Sequence, residues 1–111
     1  MNKNITVGFV TQKLRKEFES LRQGVFEDAR LYDAIDNATD ELKKDPTCGT
    51  RIKKSQWPKE YITKYAITNL WKYDLPNAWR LIYTIETDEI TIMSIVLKWI
   101  NHDKYERKFK Y

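Results

Sequence analysis

The sequence reads as a small α+β domain over residues 1–111, a twisted antiparallel sheet with an N-terminal helical hairpin packed on one face. Three observations predict this. Two amphipathic helical stripes lie in the first 45 residues. Alternating β-rich segments fill the chain from Asn69 onward. A further short β-rich segment precedes the helices. An amphipathic helical pair has one apolar face, and a sheet is the layer that covers it.

Residues 4–10 (Asn-Ile-Thr-Val-Gly-Phe-Val) form the opening strand. Thr11 is placed to cap a helix whose stripe is Leu14, Phe18 and Leu21. Arg22 suits the end of that helix, and Gly24 suits a left-handed residue just beyond it. A second helix is expected from Glu27 to Lys44 on the stripe Leu31, Ile35, Ala38 and Leu42. Its first turn is acidic and its last is basic, both matching the helix dipole, and Asp45-Pro46 ends it.

Residues 47–64 read as irregular, with a turn at Cys48-Gly49-Thr50 and a short helix started by Pro58 at its first position. Leu70 to Leu75 is a strand, and Pro76 belongs to the turn after it. Trp79, Leu81, Tyr83 and Ile85 alternate with Arg80, Ile82, Thr84 and Glu86 in the clearest strand of the chain. Thr87-Asp88 links it to a last strand running from Ile90 to Trp99. Both strands are apolar on both faces near their middles, which makes them central. A basic tail is expected over about 100–111.

One cysteine allows no internal disulfide, and one cysteine with one histidine cannot supply a multi-ligand Cys/His metal site. No cofactor or metal is expected; zinc held by His102 and carboxylates is the one metal arrangement left open. No stretch approaches the length of a membrane span, and the opening residues lack a signal-peptide pattern. The expectation is therefore a cytoplasmic, reduced protein with no membrane association. The formal charge is +4, and its excess is concentrated. Residues 51–64 carry five basic groups against one acidic, and residues 98–111 carry five against two. Brought together, these segments would make a positive patch suited to a polyanion.

Arg80 stands mid-strand among apolar neighbours, so it needs an anion or an internal carboxylate such as Glu86 or Glu89. His102 is the side chain whose type titrates near neutral pH, the default acid or base, although a lone histidine is more often a plain surface residue. Tyr105 shares a helical face with His102 and Glu106 if the segment is helical; with Phe109, it could equally anchor the tail in the core. Two basic clusters, Arg51, Lys53 and Lys54, and Arg107, Lys108 and Lys110, lie near aromatic residues including Trp57, Tyr61 and Tyr111. Cations bind phosphate and aromatics stack bases, the composition of a single-stranded nucleic-acid surface. No glycine-rich phosphate loop, nucleophile elbow or paired metal-binding carboxylate motif is present.

The stretch Asn77-Ala78-Trp79-Arg80-Leu81-Ile82-Tyr83-Thr84-Ile85 carries an arginine, two apolar residues and a tyrosine. A later strand ends Leu97-Lys98-Trp99-Ile100-Asn101 and runs into His102-Asp103-Lys104-Tyr105-Glu106-Arg107. These motifs, with the order of elements, resemble the RelE/ParE superfamily of toxins from toxin–antitoxin systems, and its RelE-like branch in particular. The resemblance implies a metal-independent endoribonuclease that cuts messenger RNA on the ribosome by attack of the 2′-hydroxyl. It implies Arg80 as the phosphate-binding arginine, His102 and Tyr105 as the C-terminal catalytic pair, and Arg51, Lys53, Lys54, Arg107 and Lys108 as RNA-binding groups. It implies messenger RNA, the ribosome and a cognate acidic antitoxin as partners. The alternative is a non-catalytic toxin-fold protein that binds gyrase, another protein or nucleic acid. The chain departs from the compact toxins in a longer, more aromatic stretch from Gln56 to Thr68 and in having no second histidine near its basic centre.

Overall fold

A computed structural model describes residues 3–109; Lys110 and Tyr111 lie outside the described residues. The chain runs β1 (Asn4–Phe9), α1 (Gln12–Leu21), α2 (Phe26–Lys44), β2 (Thr50–Arg51), α3 (Lys59–Tyr65), β3 (Trp71–Leu75), β4 (Trp79–Thr87), β5 (Thr91–Asn101) and α4 (His102–Lys108), with a 3-10 turn at Lys54–Gln56 before α3. The five strands form one sheet in the order β1-β5-β4-β3-β2. The α+β class stands, with one correction to the expected antiparallel sheet. β1 joins β5 in parallel, because the α1–α2 pair carries the chain across one face before the sheet is resumed. β5, β4, β3 and β2 pair antiparallel.

Thr11 caps α1 as expected, its hydroxyl accepting from the Leu14 amide at 3.0 Å. Gly24 is not the left-handed terminator expected, since no glycine has a positive φ. Pro58 likewise sits one position earlier than expected, at the cap of α3. Leu14, Phe18, Leu31, Ile35, Ala38 and Leu42 turn inward from α1 and α2 onto Leu81, Tyr83 and Val96 of the central strands. Phe18 stacks on Phe9 at 5.1 Å and on Tyr32 at 4.5 Å, with Trp99 edge-on at 6.5 Å.

The opposite face of the sheet is also covered. A second core there joins Ile82, Leu97 and Ile100 of the sheet to Trp57, Tyr61 and Ile67 of the α3 region and to Tyr105 and Phe109 of the C-terminal segment. As far as Phe109, the segment expected as a basic tail is packed on the sheet: β5 continues to Asn101, α4 begins at the next residue, and Phe109 is fully buried. The aromatic stretch before β3 has the same purpose. The Trp57 indole donates to the Ile52 carbonyl at 2.9 Å and closes the loop onto the sheet.

Three local devices fix the strands that carry the site. Pro76, Asn77 and Ala78 form the β3–β4 turn, with Asn77 and Ala78 both in the left-handed region at φ 61°. A bulge between β4 and β5 pairs Ile82 with Lys98 but Tyr83 with Val96, so Leu97 is the extra residue. It brings both Val96 and Trp99 to the helical side. Gly49 lets β2 approach, because a Cβ there would collide with the Lys72 carbonyl and the Tyr83 hydroxyl; that hydroxyl donates to the Pro46 carbonyl at 2.8 Å.

Candidate functional site

Arg80 lies on the face of the sheet turned away from α1 and α2, paired across the ladder with Asp74 of β3 and Ile100 of β5. Its Nε donates to the Asp74 carboxylate at 3.2 Å. The internal carboxylate is thus Asp74 rather than Glu86 or Glu89. Asp74 faces Arg80 directly across the strands, where cross-strand side chains meet. Lys72, two residues before Asp74 on the same face, places its Nζ 3.8 Å from the same carboxylate oxygen. Asp74 bridges the two cations from solvent: its side chain is 68% exposed, against 16% for Arg80 and 15% for Lys72.

α4 closes the site from the other side. Asn101 caps it by accepting from the Lys104 amide at 3.0 Å, which sets His102 in the first turn, beside the start of β4. His102 Nδ1 lies 2.7 Å from Arg80 Nη1. His102 Nε2 lies 2.8 Å from Glu106 Oε1, one turn along the helix. Tyr105, on the same helical face, forms the floor. The Arg80 guanidinium lies 4.5 Å and the Lys72 ammonium 5.5 Å from its ring centroid, and Phe109 stacks on it at 4.5 Å. With Tyr105 only 1% exposed, no ring face is open to a nucleobase. It holds the cations in place, which narrows the roles open to it from sequence.

Arg80, His102 and Tyr105 therefore lie together. The other basic residues do not join them. Arg51 pairs with Trp71, so its side chain lies on the helical side of the sheet, along a shallow groove shared with Asn69 and Glu86. This corrects the expectation of a single basic face. Lys108 pairs with the Glu60 carboxylate at 2.5 Å and covers the Tyr61 ring at 4.9 Å, tying α4 to α3. The hydrogen bond from Lys108 holds the Glu60 carboxyl below its ordinary range. Lys53, Lys54 and Arg107 are exposed, with no ion pair among the described residues. Lys72, Asp74 and Glu106 belong to the site and were missed as site residues. The period-2 pattern of β3 places Lys72 and Asp74 on one face, but only the register with β4 shows that this is Arg80's face.

Arg80 and Glu106 contact one imidazole, and Lys72 and Asp74 gather beside Arg80. The cations sit low, on an aromatic floor, and the carboxylates sit at the exposed rim. A phosphate that displaces Asp74 would find a guanidinium and an ammonium already oriented. Among the described residues, no three His, Cys, Asp or Glu side chains are placed to hold a metal ion, and no helix is long and apolar enough to cross a membrane. Comparison with family models, curated proteins and solved structures found no match.

Proposed function

We propose that the protein is a RelE-like toxin, a metal-independent endoribonuclease that cuts messenger RNA in the cytoplasm, on the ribosome, through the 2′-hydroxyl. The observation that carries this reading is the 2.7 Å contact between Arg80 and His102, beside Lys72 and above Tyr105. It joins an anion-binding fork to a proton-transfer group within the reach of one phosphate. In the reaction, the 2′-hydroxyl loses its proton, its oxygen bonds to phosphorus, and the bond to the 5′-oxygen breaks. That oxygen then takes up a proton, and the chain is left with a cyclic phosphate. Arg80 and Lys72 neutralise the charge that grows on the phosphate, and His102 transfers the proton. The ribosome supplies substrate positioning, so weak cutting of free RNA agrees with the scheme. A cognate antitoxin would cover Arg80 and Lys72 with an acidic segment, displacing Asp74 as a phosphate would.

The rim carboxylates favour a second reading. Asp74 and Glu106 balance Arg80 and Lys72 in formal charge, as expected of a purely structural α+β domain in which Arg80 has internal partners and nothing is cut. Primer-extension mapping on translated messenger RNA, with EDTA present, separates the two. The ribonuclease cuts under these conditions, loses at least about tenfold in rate with Arg80→Ala, and loses roughly 10²-fold with His102→Ala. Cleavage abolished by EDTA, or unchanged when both residues are replaced, overturns the mechanism.

A further inference from the structure

The two nitrogens of His102 face partners of opposite kind. Nδ1 meets Arg80 Nη1 at 2.7 Å. A guanidinium has only donors and keeps its protons, so Nδ1 must be the acceptor. Nε2 meets the Glu106 carboxylate at 2.8 Å, and an ionised carboxylate only accepts. One ring must therefore accept at Nδ1 and donate at Nε2. That is the neutral imidazole with its proton on Nε2. The opposite tautomer would aim an N–H at the guanidinium and a lone pair at the carboxylate, losing both contacts.

We infer that Glu106 is a positioning residue: it holds the His102 proton on Nε2 and makes Nδ1, the atom beside Arg80, the proton acceptor of the site. What Nδ1 accepts rests on the ribonuclease reading. In the free protein Arg80 masks the Nδ1 lone pair. A phosphate oxygen that takes the Nη1 donor uncovers it. The 2′-hydroxyl next to that phosphate then has a base within reach. Its proton passes to Nδ1 as its oxygen bonds to phosphorus, and the departing 5′-oxygen takes a proton from water. The imidazolium so formed still donates from Nε2 to Glu106, and the carboxylate stabilises its charge, as the aspartate does for the histidine of a serine-protease triad. His102 is thereby assigned as base rather than acid. Glu106 does not touch the substrate.

His102 is the only histidine, so its ring nitrogens can be read without ambiguity by long-range proton–nitrogen NMR on ¹⁵N-labelled protein. Spectra taken well above the ordinary imidazole titration range should show a single tautomer protonated at Nε2. Glu106→Gln, whose amide oxygen still accepts from Nε2–H, should keep that signature. Arg80→Ala removes the other group that fixes the ring and should keep the Nε2 signature, Arg80→Ala/Glu106→Leu should give a mixture of tautomers, and Glu106→Leu alone should cut messenger RNA at least about tenfold more slowly. Circular dichroism checks that the variants are folded. A wild-type ring protonated at Nδ1, or an Arg80→Ala/Glu106→Leu spectrum identical to that of Arg80→Ala, overturns the inference whether or not RNA is cut. Wild-type protein with the expected tautomer but no cleavage on the ribosome sinks the ribonuclease reading and leaves the tautomer assignment of Glu106 standing.

Discussion

Arg80 is held between an exposed carboxylate and an imidazole. Asp74 is mostly exposed and competes for the same donors that a phosphate would use. Replacing it with asparagine removes the competing charge and keeps the size. Asp74→Asn should bind inorganic phosphate up to about fivefold more tightly, since an exposed ion pair is worth at most about 1 kcal/mol. The His102 ring signals followed through a phosphate titration give the affinity. Weaker binding in Asp74→Asn would mean that Asp74 orients the cations rather than shielding them. Tyr61 poses a different question at one side chain. Its hydroxyl is buried with no hydrogen-bond partner among the described residues. Tyr61→Phe should therefore be neutral or slightly stabilising near pH 7, whereas Tyr83→Phe, which loses the bond to the Pro46 carbonyl, should cost about 1 kcal/mol.

α3 ends on a residue that suits its backbone poorly. Ala66 is the C-cap at φ 50° and ψ 42°, a left-handed conformation in which a Cβ is strained. Ala66→Gly should raise stability by about 1 kcal/mol, read from thermal unfolding. Ala38→Gly, in the middle of α2 and 1% exposed, should move the other way by at least about 1 kcal/mol. Losses of the same sign at both positions would contradict the assigned conformation of Ala66. The core contacts of α1 and α2 give a larger signal. Phe18→Ala or Ile35→Ala should cost roughly 2–5 kcal/mol in urea unfolding, and Lys53→Ala under about 0.5 kcal/mol. Equal losses would mean that the helical stripes do not form the core.

The whole molecule is a sheet with a core on each face, and each core contains a tyrosine that is costly to ionise. Burial pushes both phenols, Tyr61 and Tyr83, well above their ordinary value of 10.0. The unfolded chain releases these protons as the pH passes 10, and the folded chain retains them. Stability is therefore fully present below about pH 10 and falls as the pH rises further. Urea unfolding between about pH 8 and pH 11 should show this decline, with a shallower slope in Tyr61→Phe. An unchanged slope would show that Tyr61 is open to solvent.

Much of this architecture was legible in the linear pattern because it depends on neighbours close in sequence. Thr11 and its capped helix, the apolar stripes of α1 and α2, and the alternation of β4 are local properties, governed by 3.6- and 2-residue periods. Arg80 and His102 stood out for a local reason too: a lone arginine in an apolar strand and a lone histidine at a strand end are conspicuous by type. Their 2.7 Å contact, across 22 residues of sequence, is not local. The parallel pairing of β1, the bulge at Leu97 and the burial of the C-terminal segment arise from packing between distant parts of the chain. The membership of Lys72 and Asp74 arises from strand register, since a shift of one residue would move them to the opposite face. Charge counting pooled Arg51 and Lys108 with Arg80. Tertiary structure separates them, because a side chain's face depends on which strand lies beside it and a cation's availability on which carboxylate packs against it. Composition and periodicity determine α1 and α2, most of the strands and the residue types available for chemistry. Only the folded chain decides which of those residues meet, because that depends on contacts between segments remote in sequence.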